Sequence, residues 1–544
     1  MSGTTPPGTA GTGAPRRAAG PFTSGGKNRW TVLVVLCVSL LLVAIDATVL
    51  HVALPAVTAD LRPGPIELLW IVDTYPLICA SLLILFGTLG DRIGRRRVLM
   101  LGYACFGLAS ALAALAATPY LLIAARALLG VGGAMIMPAT LSILRQVFPE
   151  RRERALAIGI WSAVAAVGAA IGPLVGGALL EYFWWGSVFL INIPIMVVCL
   201  PVGYWLLPES TGDRAGPWDV LGALMAATGL FSVILAVKRI GSGDIFGPGT
   251  VLAAGLGALL MALFVRRQRR RRYPLIDLTA FSRPAFGTSV GCIVLTVLAL
   301  VGLALIAAQY LQLVLGLSPL QTGLRLLPLS LAAIAAGLLG SRMLQRLGPR
   351  TMVASGFVLT AVAVLTLTTM GDTDRPAVLI GGFVMLGFGL ETTLFGSYES
   401  MLSDVPARQA GGAAAIGETA YQFGAGIGIA LLGSIMNAVY APAVRGVEGL
   451  SPGDASAAGH SLGEAYVVAG RLGEAGEVLR EAARTAFVHG MRLTLAVSAV
   501  LLLLGALAAL RLPRGIVKAH RPAPQPEKRE DAPRPLLPTG VTRP

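Results

Sequence analysis

The sequence has little charge and almost no lysine. Of its 544 residues only 13% are Asp, Glu, Lys or Arg, 55% are hydrophobic, and the mean hydropathy is +0.75. Soluble domains carry about 25% charged residues, so this composition argues against a soluble globular protein before any motif is read. The lysines are Lys27, Lys238, Lys518 and Lys528, and only Lys27 follows a glycine. There is therefore no G-x-x-x-x-G-K-[ST] phosphate loop, which excludes an ATP-driven pump of that type. Four histidines are too few for a His-rich metal site. The five cysteines (Cys37, Cys79, Cys105, Cys199, Cys292) all fall inside apolar runs and show no metal-ligand spacing. They read as small core residues, and neither a metal nor an organic cofactor is expected. A net charge of +15 would suit nucleic acid, but the arginines sit in short connections between apolar runs rather than on one soluble face. No nucleic-acid partner is expected.

Long apolar runs are what the chain has instead. Crossing a bilayer as a helix takes about 20 apolar residues. Fourteen runs qualify, at about 31–57, 67–89, 98–117, 119–144, 155–180, 185–207, 218–238, 248–265, 285–310, 319–341, 351–370, 376–402, 409–440 and 486–511. The first is too long for the apolar region of a signal peptide. The Gly- and Pro-rich residues 1–28 and the Pro- and charge-rich residues 512–544 read as disordered tails. Placing the N-terminus in the cytoplasm puts the main arginine clusters (92–97, 145–154 and 266–272) on the inner side. Fourteen spans then leave both tails in the cytoplasm of a multi-pass cell-membrane protein whose first partner is the lipid bilayer. The outer loop 441–485 ends in GRLGEAGEVLREAARTAFVHG, where Leu472, Val478, Leu479, Ala482 and Ala486 fall near helical spacing. This predicts a short amphipathic helix.

Two connections echo one another. GDRIGRRR follows the second run and LQRLGPRT the tenth, aligning Gly94 with Gly348 and Arg96 with Arg350, but Asp91 with Gln345. If runs seven and eight are set aside, each loop follows the second span of a six-span unit. The expected organisation is a six-helix bundle at 29–207, two linker spans with a basic inner loop at 208–284, and a second six-helix bundle at 285–511. One pattern points elsewhere: Gly287-Thr-Ser289-Val-Gly291 matches a hydrolase nucleophile elbow. It lies inside an apolar run with no strand before it, so a membrane enzyme is disfavoured.

The stretch GTLGDRIGRRR, with one acid and four arginines between Asp91 and Arg97, resembles the signature between spans two and three of the major facilitator superfamily. Three more stretches resemble motifs of its drug-exporting branch: IDATVLHVALP (45–55), RALLGVGGA (126–134) and GAAIGPLVGG (168–177). Together with WIVDTY (70–75) they make the chain similar to the fourteen-span, QacA-type proton-coupled multidrug antiporters. The resemblance implies an all-α integral membrane protein with a major facilitator fold in a 6 + 2 + 6 arrangement. It implies export of lipophilic, cationic drug-like compounds in exchange for protons, by a monomer that is not an enzyme. A dedicated exporter of one host-made antibiotic or metabolite is the alternative, and a uniporter or importer of the same fold is the rival reading.

The same resemblance assigns roles. Gly87, Asp91, Arg92, Gly94, Arg95 and Arg96 form a conformational latch; the positive-inside rule explains the arginines but neither Asp91 nor the glycines. Arg126 takes part in proton coupling. In residue terms, a lone guanidinium inside a span costs about 2.5–3.5 kcal/mol on the insertion scale, so Arg126 must face a partner or a cavity. Gly168, Gly172, Gly176 and Gly177 offer a small-residue face for close helix approach, Pro173 permits a bend, and the family associates this helix with export. Carboxylates carry the expected chemistry, because a buried carboxyl that is neutral when protonated can trade its proton for a cation. Asp46, Asp73 and Glu418 lie in stretches matching the family and are the expected proton-coupling acids, Asp46 and Asp73 at similar depth in one site. Glu391 is the expected substrate-recognising acid. Glu399, about 12 Å along the same helix, reads as a solvated residue near the inner end. Trp161, Tyr398 and Tyr421, with Phe395 and Phe423, can stack on a flat cation. His51, where the family usually has Asn, reads as a hydrogen-bonding substitute.

Overall fold

In lipid every backbone N–H and C=O must be satisfied within its own segment, so a chain of long apolar runs can cross only as helices or a closed barrel. The computed structural model has helices and no strands among its described residues, which are 27–63, 65–209, 218–241, 244, 246–276, 278–317, 319–371, 374–406, 409–448 and 450–514. Residues 1–26 and 515–544 of the tails expected to be disordered, and the side chains of His51 and Pro173, lie outside them; Lys27 and Asn28, assigned to the first tail, open the first helix.

In chain order the helices are α1 (Lys27–Leu61), α2 (Pro65–Ile93), α3 (Arg95–Ala114), α4 (Pro119–Val147), α5 (Arg151–Tyr182), the single turn α6 (Ser187–Leu190), α7 (Asn192–Leu206), α8 (Val220–Gly241), α9 (Pro248–Arg270), α10 (Pro284–Gln309), α11 (Pro319–Leu367), α12 (Pro376–Ser403), α13 (Ala410–Arg445), α14 (Pro452–Ala458), α15 (Leu462–Arg471) and α16 (Glu474–Ala509). Starts follow local capping chemistry. Thr118 accepts the Leu121 N–H at 3.2 Å ahead of Pro119, and Ser451 and Ser461 do the same for α14 and α15.

Twelve helices among the described residues are long and apolar enough to cross a membrane. The longest, at 47 residues, is two helices joined at Gly348, whose φ of 72° and ψ of 165° are not helical. The 32-residue α5 is not among the twelve.

The chain divides into two compact units, Met1–Phe231 with Ala407–Glu418, and Ser232–Pro406 with Thr419–Pro544. In the first, α1 packs on α5, α4 on both α2 and α3, and α3 on α7. In the second, α11 packs on α12 and α16, with α10 against α12 and α16, around a core that includes Phe357, Phe383, Leu386, Phe487 and Leu495.

The loop expected on the outer side, 441–485, departs from expectation. Residues 474–486 are not a separate amphipathic helix; they open α16 and run on to Ala509 without a break. The periodicity is helical, but no residue after Gly473 (φ 60°) stops the helix, and Gly490 alone does not. The short amphipathic helix is α15, which buries Leu462, Ala465, Val468 and Ala469 in the second unit's core. The Tyr466 hydroxyl donates to the Leu313 carbonyl at 2.8 Å and fastens it there.

Candidate functional site

Five helices of the first unit meet at one buried ion pair. Asp46 on α1 is fully buried and Arg126 on α4 is 1% exposed. The Arg126 guanidinium donates from Nη1 to Asp46 Oδ2 at 3.1 Å and from Nε to the Ile71 carbonyl on α2 at 3.3 Å. Its Cζ lies 4.6 Å from the Tyr75 ring centroid, over the ring. Asn192, at the start of α7, donates to Asp46 Oδ1 and to Ser110 Oγ on α3, each at 3.0 Å. The cation that sequence reasoning could not leave alone in a span therefore has a partner. Asp73, expected in one site with Asp46, is half-buried on α2 and is not among the side chains bonded to Asp46.

The helices around this pair approach closely because glycines face them. Gly168, Gly172 and Gly176 of α5 lie over α1 turn by turn. A Cβ at Gly168 would meet Ala44 and Leu41, one at Gly172 would meet Thr48 and Ile45, and one at Gly176 would meet Val49. This ladder brackets Asp46. Gly177 is not part of it, for nothing lies within 4 Å of its Cβ direction. On α4, Gly130 sits against the Tyr75 carbonyl and Gly133 against Cys79 of α2. Trp161 on α5 is 4% exposed, its indole N–H donating to Thr140 Oγ1 at 3.3 Å.

The residues expected to form a latch lie at the other end of α2. The Asp91 carboxylate receives Arg95 Nε at 3.0 Å and Nη2 at 2.8 Å, and also accepts the backbone N–H groups of Gly411 (3.2 Å) and Gly412 (3.0 Å) in the first turn of α13. A carboxylate there satisfies orphan donors and the positive end of the helix dipole together. Gly87 permits the approach, since a Cβ on it would meet Ala415 and the Gly411 carbonyl. Arg96 turns to α7, donating to the Tyr204 and Leu207 carbonyls at 3.2 and 3.3 Å and standing 3.5 Å from Glu209. Gly94 makes the turn at φ 117°. Arg92 is half-buried on the same turn. Glu418, two turns into α13, is 2% exposed and lies in electrostatic reach of the Cys79 thiol.

In the second unit the whole stretch Glu391–Leu402 of α12 is buried. Glu391 is 5% exposed, Tyr398 3%, and Glu399 is fully buried with the Ser403 hydroxyl donating to it at 2.8 Å. Glu399 is thus an interior residue, contrary to its reading as solvated, on a helix that packs along α11. Gly356 and Gly389 let the two backbones approach, and the Phe395 ring stacks over Gly340. Tyr421 and Phe423 on α13 are half-buried. Ser289, centre of the apparent nucleophile elbow, is buried within helix α10, not on a strand-to-helix turn.

Residues 36–429, which include the ion pair, the glycine ladder and the latch, match the model of the Major Facilitator Superfamily. The chain belongs to this superfamily. It is a membrane transporter and not an enzyme. Among the Major Facilitator relatives, the chain is 42% identical over 478 residues to the multidrug efflux pump LfrA of Mycolicibacterium smegmatis, covering 88% of this chain and 95% of that one. It is 38% identical to the methyl viologen resistance protein SmvA of Salmonella typhimurium (87% and 97% covered) and 35% identical to the puromycin resistance protein pur8 of Streptomyces alboniger (81% and 88%). The fold is also that of the human organic anion transporter MFSD10, at a TM-score of 0.57 and 14% identity over 89% of this chain and all of that one.

Two contributors to this Major Facilitator site escaped the sequence reading. Asn192 and Ser110 hold the second oxygen of Asp46, directly and through one another. The available signal was a single amide in the apolar run 185–207; Ser110 carried none, since serines are common in membrane helices.

Proposed function

We propose that the chain is a proton-coupled drug-efflux antiporter of the cell membrane, exporting lipophilic cations. The observation that carries this reading is the fully buried Asp46–Arg126 pair in a chain 42% identical to a multidrug efflux pump. Protonating Asp46 removes the charge that holds Arg126 and alters how α1 is fastened to α4 and α7. A proton taken up there thereby changes the packing of the bundle. Asp73 and Glu418 are the further proton-coupling acids of this reading. Glu391 recognises the cation, and Trp161, Tyr398 and Tyr421 supply aromatic surface. The energy source is the proton gradient, with no cofactor. Each charge moved inward gains about 2.3 kcal/mol per 100 mV, and each pH unit adds about 1.4 kcal/mol.

The proposed architecture has fourteen spans with both termini cytoplasmic, in a monomer. Support comes from the break at Gly348, which counts α11 twice, and from the 32 residues of α5. Residues 29–207 and 285–511 form the two bundles, and 208–284 carries the two linker spans. The test is uptake of a fluorescent cation into inverted vesicles under an imposed pH gradient. Asp46→Asn, Asp73→Asn, Glu418→Gln and Glu391→Gln are run separately. Uphill transport should fall in the coupling variants. If all four accumulate dye like the parent, and collapsing the gradient does not slow the parent, the antiporter reading fails. A substrate panel in a drug-sensitive host separates a broad exporter from one devoted to a single host-made compound; one relative is named for resistance to a single drug, puromycin.

A further inference from the structure

The arginine run that ends α9 has no part in this transport scheme. Residues 248–276 contain six arginines (Arg266, Arg267 and Arg269 to Arg272) and no acid. Three of the six share one face with apolar side chains. Met261, Ala262, Val265, Arg266, Arg269 and Arg270 line a shallow open groove of about 550 Å³. Their spacing keeps them on one stripe of the helix. The rotation of the helix is fixed from its other side, where Phe264 and Gln268 are each 2% exposed. The Gln268 side-chain carbonyl accepts the Leu275 N–H at 2.7 Å, which ties the chain beyond α9 to the inner face and leaves Arg266, Arg269 and Arg270 exposed.

Topology needs only positive charge near a span end; it does not need three guanidinium groups aligned beneath an apolar groove on the outward face. That arrangement is complementary to an amphiphile with an anionic oxygen group at one end and hydrocarbon at the other. Guanidinium binds phosphate oxygens in a bidentate fork, and clustered arginines at a span end attract anionic headgroups. We propose that this face of α9 binds an anionic phospholipid. Its phosphate is held by Arg266, Arg269 and Arg270, and the first methylenes of its chains lie along Met261, Ala262 and Val265.

The test uses the full-length protein in nanodiscs of zwitterionic lipid with a tryptophan reporter beside the groove, Leu263→Trp. Brominated phosphatidylglycerol or brominated phosphatidylcholine is titrated in, and the reporter's added fluorescence is followed. The anionic lipid should quench at a mole fraction about threefold lower or better. R266Q/R269Q/R270Q should abolish that difference, whereas R267Q/R271Q/R272Q, which removes the same charge, should keep it. Equal quenching by both lipids overturns the proposal, as does equal loss in both triple variants, which would mean diffuse attraction. Relief of quenching by inorganic phosphate would mean a site for free anions and also overturns it. Should the glutamine variant fail to insert, R266K/R269K/R270K preserves the charge. It should retain preference for the anionic lipid with a weaker response, since Lys lacks the fork; a response unchanged from the parent counts against the assigned arginines.

Discussion

Arg96 and Arg350 close the same kind of helix end in the two units. Arg96 donates to the Leu207 carbonyl beyond α7, and Arg350 donates from Nε to the Leu512 carbonyl beyond α16 at 2.7 Å. Each follows by two residues a glycine of positive φ, Gly94 at 117° and Gly348 at 72°. Only the first copy carries an acid: Asp91 binds the start of α13, while its counterpart Gln345 is exposed. The repeated part of the motif is structural, and the unrepeated Asp91 is the part free to act as a latch.

Asp91→Asn should therefore cut transport strongly while leaving membrane insertion and expression intact. The amide keeps one acceptor oxygen but loses the charge that faces Arg95 and the dipole of α13, an interaction of about 0.3–2 kcal/mol at a helix end. Efflux rates beside surface-labelling of inserted protein check this; parental efflux would leave the arginines only a topological role.

Substitutions at the two turn glycines should act on stability. Gly94→Ala and Gly348→Ala each place a Cβ at positive φ, with Glu209 in its way at the first and the Arg514 carbonyl at the second. Each should destabilise by about 1 kcal/mol or more, read as a lower melting temperature in detergent.

The ion pair should obey the rules of buried charge. Arg126→Met alone leaves Asp46 unpaired and should destabilise by about 3–5 kcal/mol. Asp46→Asn with Arg126→Met should recover much of that loss without recovering uphill efflux. Asn192→Leu, which removes one donor from Asp46, should cost about 1–3 kcal/mol. Melting curves and vesicle transport on the same preparations separate packing from coupling.

The glycine ladder of α5 makes a site-by-site prediction. Gly172→Val should impair folding or transport, because the added carbons run into Thr48 and the Ile45 carbonyl; overpacking of this kind costs about 1–3 kcal/mol. Thr48→Ala should restore part of the loss. Gly177→Ala should stay within about 0.5 kcal/mol of the parent. Equal effects at 172 and 177 would show that flexibility, not close approach, is what the glycines provide.

The amino-acid sequence by itself determined the membrane class, the helical fold and the superfamily. Those follow from local facts: backbone groups in lipid must pair within their own segment, and GDRIGRRR and GAAIGPLVGG are contiguous. It also pointed to Arg126 as a residue needing a partner, because the insertion penalty is a property of the side chain and its depth. Only the tertiary structure decided which acid answers it. Asp46, 80 residues away on α1, reaches Arg126, and Asp73 is not bonded to either, because the rotation of each helix is set by its packing, as of Gly168, Gly172 and Gly176 against α1 and of Gly130 and Gly133 against α2. The burial of Glu399 and the continuation of α16 through 474–486 were decided the same way. Each depends on which neighbour covers a face or which residue fails to end a helix, and neither is written in the spacing of the residues themselves.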